Sequence, residues 1–574
     1  MNFKEYKNYN FFLFLKENFL VFLLLSVGFF HIISEIKFGT NTIGDLVDGR
    51  FNNFVLEHFY RTLIGEEKSF KNANFFYPAP NVMMLSDNHW FLGLIYAFFR
   101  IIGFNSAKSF NFWIFCGFFA NFISSYYVLR KFNFSKNSSA IGAFSFTFNQ
   151  IILLKIGHMQ LNFKAFIPLT LLYSKYYFET LDFKYISYII LCIILQLLCS
   201  SYNGNFLALF VFIFFIFYLS KFKKNDFNKI FPQKFSLKIN IPILILSFFL
   251  LLIYSLPYIE TKNFYNFNKP SSIGEYFTLN SLFTVGNSPF WNYITNYFSL
   301  KSLEIYKENQ FFFGIGLWLS ILALVINKTL HKNLQYFDKV LIKSILFILF
   351  FFWIDKYVGS FYFLQLLSPN FSPLRAHSRF FYVIFFAILY FVTFSIHYLE
   401  KTNYKKLYYA IIAIIILEVQ ISKISNSNFL EEKNDIENYK NLMLQHGNKE
   451  SIYFFVQKLS GTSLSDYIKN EVNIMIASQD LNKKVINGYS GRILFSMINS
   501  ASNCFEISKI ISTHEKSISK IFKQEFKYNR KNLFIFLDKK LCSKIIISTS
   551  KHRAIKKTKK KNLMLNLVDH LVVY

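Results

Sequence analysis

The sequence predicts a polytopic α-helical membrane protein with about eleven transmembrane helices, a long first extracytoplasmic loop and a small C-terminal α/β soluble domain. Three observations predict it. Of 574 residues, 53% are hydrophobic and 17% charged, with a mean hydropathy of +0.30, whereas soluble domains carry roughly a quarter charged residues. Apolar runs close to the ~20 residues that cross a bilayer recur through the first 422 positions. Lysine and arginine collect in the short loops between those runs.

The runs lie near 17–36, 109–129, 138–155, 162–178, 185–201, 205–220, 240–258, 309–327, 340–358, 379–398 and 407–422. Counted in order, they place the basic groups on one side: Lys4, Lys7 and Lys16; Arg130, Lys131 and Lys136; Lys184; Lys221, Lys223 and Lys224; Lys328 and Lys332; Lys401, Lys405 and Lys406. Cytoplasmic loops hold that excess, so the N-terminus is expected in the cytoplasm and the C-terminal domain outside. The basic start leads into an apolar run without a small-residue cleavage site, which reads as a retained first span. His89 to Phe104 is apolar but short, and a full span there would invert the loops that follow. It reads as a re-entrant or interfacial helix inside one external loop, 37–108.

Net charge is +30, yet the lysines accompany no nucleic-acid motif, so nucleic acid is not an expected partner. The 78 phenylalanines fit an AT-rich codon usage and carry no functional weight. Cys116, Cys192 and Cys199 lie in apolar segments, which leaves only Cys504 and Cys542 for a disulfide. Beyond 422 the pattern becomes polar, with β-rich runs at Glu471–Ala477, Asn532–Leu537 and Lys544–Ser548. This marks an α/β domain over 426–550, outside the transmembrane domain 1–425. The basic stretch 551–574 matches no element.

The threading sorts the unusual polar residues by side. Asp45, Asp48, Glu57, His58, Asp87, His158, Gln160, Asn203, Glu260, Glu308, Arg375 and Arg379 fall at or near the external ends of the spans, and polar groups that a bilayer makes costly mark a site. The first loop reads Gly44, Asp45, Leu46, Val47, Asp48, Gly49, Arg50. One of its two acids serves as a general base or holds a divalent ion, Mg or Mn, with substrate phosphate, or Asp48 simply caps the helix that follows. That helix carries Phe51, Phe54, Val55, Phe59 and Leu63 on one face and Asn53, Glu57, Tyr60 and Arg61 on another. Asp87 is either a site residue or the cap of the next helix. His158 and Gln160 sit in a tight turn, as donors to a sugar or phosphate or as solvated loop residues. Arg375 and Arg379, four positions apart, form a phosphate clamp at a helix N-terminus or snorkel to headgroups.

Taken in order, Gly44, Asp45 and Asp48; Leu56, Glu57 and His58; Phe76, Tyr77 and Pro78; Gly157, His158, Gln160, Pro168 and Leu169; Gln196, Ser200, Ser201, Tyr202 and Gly204; Leu374, Arg375, Ser378, Arg379 and Phe380; and Asn487, Gly488, Tyr489, Ser490 and Gly491 resemble the YfhO-like bacterial membrane proteins of the C-type glycosyltransferase superfamily. The resemblance runs to about residue 495. It implies transfer of a sugar from a polyprenyl-phosphate donor to a cell-surface glycan or glycolipid at the bacterial cytoplasmic membrane, with a first-loop Asp as base or metal ligand. The acids are separated by two residues, wider than the pair in many relatives. Two other classes compete: a flippase of lipid-linked saccharide, which would place charge at the midplane on broken helices in paired halves, and a non-catalytic scaffold.

The loop charges generate a direct test. A reporter fused after Lys223 is expected in the cytoplasm and one after Asn470 outside; the opposite pair of results overturns the orientation and with it the external placement of the polar cluster.

Overall fold

The computed structural model describes residues 17–37, 39–154, 157–220, 235–267, 277–284, 309–327, 332, 334–367, 374, 376–458, 463–491, 500–501, 506–537 and 570–573. The chain forms two compact units. One comprises Met1–Gly39, Phe110–Tyr254 and Asn268–Asn426; the other comprises Thr40–Ser109, Ser255–Phe267 and Ser427–Tyr574.

Every apolar run of the first 422 residues carries helix. Among the described residues, four helices are long and apolar enough to cross a membrane: Ser106–Lys131, Ser201–Leu219, Leu237–Tyr265 and His377–Lys401. Others are shorter, including Phe19–Glu35, Phe183–Cys199 and Ile315–Ile326. Leu237–Tyr265 makes the strongest case for lipid. Its 29 residues rise ~44 Å against a hydrocarbon core of ~30 Å, and Ile245, Phe248, Phe249, Ile253 and Leu256 are at least half exposed. A helix apolar on so many sides needs an apolar surround.

Helix boundaries follow local chemistry. Ser135, Asp182 and Ser200 cap the helices Lys136–Phe148, Phe183–Cys199 and Ser201–Leu219 by accepting backbone N–H bonds. The expected run 138–155 is broken at Asn149, whose Oδ1 accepts from Ile151 N while its Nδ2 donates to Phe313 O at 2.8 Å. In the first unit, Phe381–Lys401 is buried along most of its length. It packs on Lys136–Phe148, where a Cβ at Gly142 would overlap Thr393; small residues permit that approach where helices cannot associate by the hydrophobic effect.

The second unit contains a parallel sheet. Strand β1 is Ile452–Lys458, β2 Lys484–Val485, β3 Ser500–Ala501, β4 Leu533–Leu537 and β5 His570–Val573. The order is β2-β1-β4-β5, with β3 also on β1. Register pairs Ile452 with Leu533 and Val456 with Leu537. Parallel strands need cover on both faces, and the alternation of β1 and β4 supplies two apolar faces. Tyr453, Phe455 and Phe536 cluster with Val472, Met475, Phe75 and Phe76; Phe454, Val456, Ile535 and Leu537 cluster with Ile507, Ile511 and Tyr528.

Three sequence expectations change here. Glu471–Ala477, read as a strand, lies inside the helix Leu464–Leu481, started by Ser463, whose side chain accepts from Asp466 N. Its apolar residues alternate over a short window, but Val472 and Met475 are one helical turn apart and share the sheet-facing core. The last residues, without an expected element, pair as β5 along β4, Phe534 opposite His570. The first-loop helix Asp48–Leu63 buries Phe51, Phe54 and Val55 in protein, leaving only Leu63 of its apolar face strongly exposed. Trp90–Ile101, within the expected re-entrant or interfacial stretch, keeps Leu94, Phe98 and Ile101 exposed on one side and Leu92, Tyr96 and Ala97 buried on the other. Lys544–Ser548, Cys504 and Cys542 lie outside the described residues.

The two kinds of apolar surface are separable by mutation. Phe454→Ala, at a fully buried sheet position, is expected to cost about 3–5 kcal/mol. Phe248→Ala, on the exposed side of Leu237–Tyr265, is expected to cost under ~1 kcal/mol. Denaturant titration of the detergent-solubilised protein distinguishes them.

Candidate functional site

The site residues fall into a set in each unit. In the second unit, Gly44 turns with φ of 102°, and the chain folds back so closely that a Cβ at Gly49 would lie 3.0 Å from Gly44 Cα. Asp45 Oδ1 accepts from Val47 N at 3.1 Å and Gly49 N at 2.9 Å. Asp45 therefore serves the helix start, and Asp48 is the first helical residue. Asp48 Oδ1 accepts a 2.8 Å hydrogen bond from the Tyr489 hydroxyl.

Tyr489 is held from behind. The fully buried Glu471 carboxylate accepts from Gln457 Nε2 (2.7 Å), Asn487 Nδ2 (3.0 Å) and Gly488 N (2.8 Å). Asn487 also bonds both backbone groups of Phe455 in β1. Phe76 N donates to Asn487 O and Tyr77 N to Val485 O. A Cβ at Gly488 would strike the rings of Phe75 and Phe76 at 2.6–2.7 Å, so glycine is required there. Three segments far apart in sequence, Gly44–Asp48, Phe76–Pro78 and Asn487–Gly491, thus converge through hydrogen bonds and packing.

Glu57 and His58 are turned inward. Glu57 takes Arg100 Nε at 2.9 Å, Arg61 Nε at 3.4 Å and the Tyr96 hydroxyl at 2.6 Å. His58 Nε2 donates to Ser69 O at 2.9 Å; burial pushes its pKa down to about 4, so the ring is neutral at pH 7. Asp87 lies half-buried between the turn Val82–Leu85 and the helix Trp90–Ile101. That helix is preceded by His89 in a left-handed conformation, and its first amide, Trp90 N, donates to Asn88 Oδ1 at 3.3 Å. A cavity of about 260 Å³ opens in the same unit, lined among others by Asp45, Arg50, Glu57, Arg61, Glu432 and Asp480.

In the first unit, the turn Met159–Asn162 carries His158 at its start and the buried Gln160. Its carbonyls are tied down: Leu161 O accepts from Asn203 Nδ2 at 3.1 Å and Phe163 O from Gln196 Nε2 at 2.6 Å. The Arg379 guanidinium stacks over the Tyr202 ring, 4.5 Å from its centroid, a cation–π contact beside Asn203. Asp355, absent from the sequence-derived set, accepts from His377 Nδ1 at 2.6 Å and Phe361 N at 2.7 Å, fixing the turn His377–Phe380. Arg375 and Glu308 lie outside the described residues. Among the described residues, no group of three or more His, Cys, Asp or Glu is placed to hold a metal, so the first-loop acids do not form a protein-only divalent site of that kind.

Sequence reasoning missed Arg50, Glu471, Asp355 and Lys164. Lys164 is fully buried in the first unit, its ammonium 4.5 Å from the Phe146 ring. A charged residue inside an apolar run was the available signal for Lys164; the others act through partners no local pattern reveals.

The buried histidines set a pH dependence. His58 titrates near 4 in the fold against 6.5 in the open chain, and His89 (about 3) and His514 (about 4) are lowered by the same desolvation. Below pH 6.5 the unfolded chain takes up protons that the folded chain refuses. Their contribution is therefore intact above pH 6.5 and lost as pH falls towards 4. Thermal unfolding should shift down over that window, and His58→Gln should flatten the slope.

Three solved structures of the oligosaccharyltransferase of Archaeoglobus fulgidus are similar to the chain, each at 13% identity. The apo form has a TM-score of 0.39 over 82% of this chain and 64% of that one. The complex with Zn and sulfate has 0.42 over 86% and 66%, and the form tethered to an acceptor peptide containing the NVT sequon has 0.40 over 88% and 68%. The chain thus spans about two-thirds of the archaeal protein. No curated protein matches it. A family model described as a domain of unknown function, DUF6311, matches residues 39–425; covering more than half of the chain, that match makes it a member of the DUF6311 family.

Proposed function

We propose that the chain is a membrane glycosyltransferase that moves a sugar from a polyprenyl-phosphate donor to an extracytoplasmic glycan or glycolipid acceptor, within the C-type superfamily that its motif order resembles. The observation that carries this reading is the hydrogen bond between Asp48 and Tyr489. Two motifs of the resemblance, near opposite ends of the chain, meet at one carboxylate, and a buried network aims the tyrosine at it. A scaffold has no need of an oriented carboxylate at a loop surface.

In this reading Asp48 takes the proton of the acceptor hydroxyl as the new O–C1 bond forms and the C1–O bond to phosphate breaks. The phosphate leaves with the bonding pair; by the resemblance, Arg375 and Arg379 are the cations for its growing charge. His158 and Gln160 orient donor groups. Asp45 shapes the loop, while Glu57, His58 and Asp87 support it from within.

The test is lipid-linked sugar transfer by purified protein, scored beside membrane insertion and thermal stability. Asp48→Asn is expected to lower kcat by ~10²-fold or more. Tyr489→Phe, which removes one hydrogen bond while keeping the ring, is expected to lower it by ~10-fold. Arg379→Lys keeps charge but loses the planar fork and is expected to lower transfer at least ~10-fold. Full transfer by Asp48→Asn in inserted, folded protein refutes the assignment of the base.

A further inference from the structure

We infer that the cavity bounded by Thr42, Arg50 and Glu432 is a binding site for one neutral sugar residue. The three side chains are each more than nine-tenths buried and line a cavity of about 260 Å³. Each carries a buried polar atom with no hydrogen-bond partner among the described residues: Thr42 Oγ1, Arg50 Nη2 and Glu432 Oε1. Beneath them, Arg50 Nη1 donates to Asn473 Oδ1, and Asn473 Nδ2 is likewise unpartnered. Arg50 Nε and Glu432 Oε2 are 3.5 Å apart, so the ion pair holds the two in place while leaving capacity on both.

Several charged groups of the wall are already paired. Arg61 reaches Asp480 at 3.1 Å, and Lys440 bridges Asp480 at 2.5 Å and Glu437 at 3.1 Å; Glu57 holds Arg100. Five acidic and five basic side chains line the cavity, so it offers no net charge to a phosphate or a polyanion. The three unpaired atoms supply a donor, an acceptor and a hydroxyl to the same cavity. Adjacent hydroxyl groups match that set, donating to Glu432 and accepting from Arg50, with Thr42 serving as either. Leaving such groups unpaired is costly, so the site discriminates by hydrogen bonding. A water molecule occupies ~30 Å³ of liquid and drug-sized sites span ~300–1,000 Å³, which leaves this volume suited to one sugar unit.

Asp45 lines the same cavity, three positions before Asp48. As the subsite for a sugar of the acceptor, the assignment rests on the glycosyl-transfer reading; sugar binding itself does not.

The experiment uses the full chain in detergent with methyl α-glucoside, methyl α-mannoside, methyl β-galactoside and methyl β-N-acetylglucosaminide as probes, read by saturation-transfer NMR, with glycine and inorganic phosphate as controls. At least one glycoside is expected to bind below ~10 mM. Thr42→Val is expected to weaken it at least fivefold with an unchanged unfolding midpoint, Glu432→Gln to weaken it at least fivefold and to lower the midpoint because buried Arg50 loses its counter-charge, and neither control is expected to bind. No glycoside binding, binding indifferent to both variants, or preferential binding of glycine or phosphate each overturns the proposal. In the transfer assay, Glu432→Gln should raise the acceptor KM with little change in kcat. Variant-sensitive glycoside binding by a chain without transfer activity keeps the sugar site and removes the enzyme reading; transfer without such binding does the reverse.

Discussion

The second unit depends on one buried carboxyl group. Glu471 carries a carboxylate into a fully buried position, a placement tolerated only when charge-directed hydrogen bonds replace water. Gln457, Asn487 and Gly488 supply them. The consequence is positional: Gln457 belongs to β1, and Asn487 is locked to Phe455 in the same strand, so helix Leu464–Leu481, sheet and the 487–491 turn cannot shift independently. Tyr489 inherits that rigidity. A hydroxyl held this way orients Asp48 at low entropic cost, because its supports are made in folding and not at the moment of binding.

The first unit solves a related problem in apolar surroundings. The turn Met159–Asn162 interrupts helix among buried side chains, where unpaired carbonyls are expensive. Gln196 and Asn203 answer by donating to Phe163 O and Leu161 O. These amides lie in or beside motifs that sequence reading had selected as chemical, and their observed work is to hold backbone. Arg379 stacked on Tyr202 and Asp355 bound to His377 extend the pattern: polar groups are kept at depth because each fixes a break in regular structure.

How much of this was legible follows from the range of the interactions. Apolar runs, the amphipathic face of Asp48–Leu63 and the strand at Leu533–Leu537 are local patterns, and the chain shows them directly. Glu471–Ala477 misled because Val472, Ile474 and Ile476 alternate like a strand; the cap at Ser463, well upstream, decides for helix. Arg50 with Glu432, and Glu471 with Asn487, are pairs whose partners lie in other elements. No spacing rule reaches them, so the buried network and the cavity floor required the fold.

The two first-loop acids show why a motif does not assign its own roles. In sequence Asp45 and Asp48 are equivalent, each a carboxylate beside a glycine-flanked turn, and helix capping was the bland alternative for Asp48. The fold gives the cap to the other residue: Asp45 Oδ1 gathers two backbone amides, neutralising donors that a helix start leaves unpaired. With Asp45 on those amides, Asp48 stands as the first helical residue and accepts from the Tyr489 hydroxyl. A carboxylate that backbone amides already hold is costly to move onto a substrate, because each of those hydrogen bonds must be given up. That asymmetry, and not their order in the chain, is why the proposal places Asp48 at the chemistry and lets Asp45 shape the loop around it.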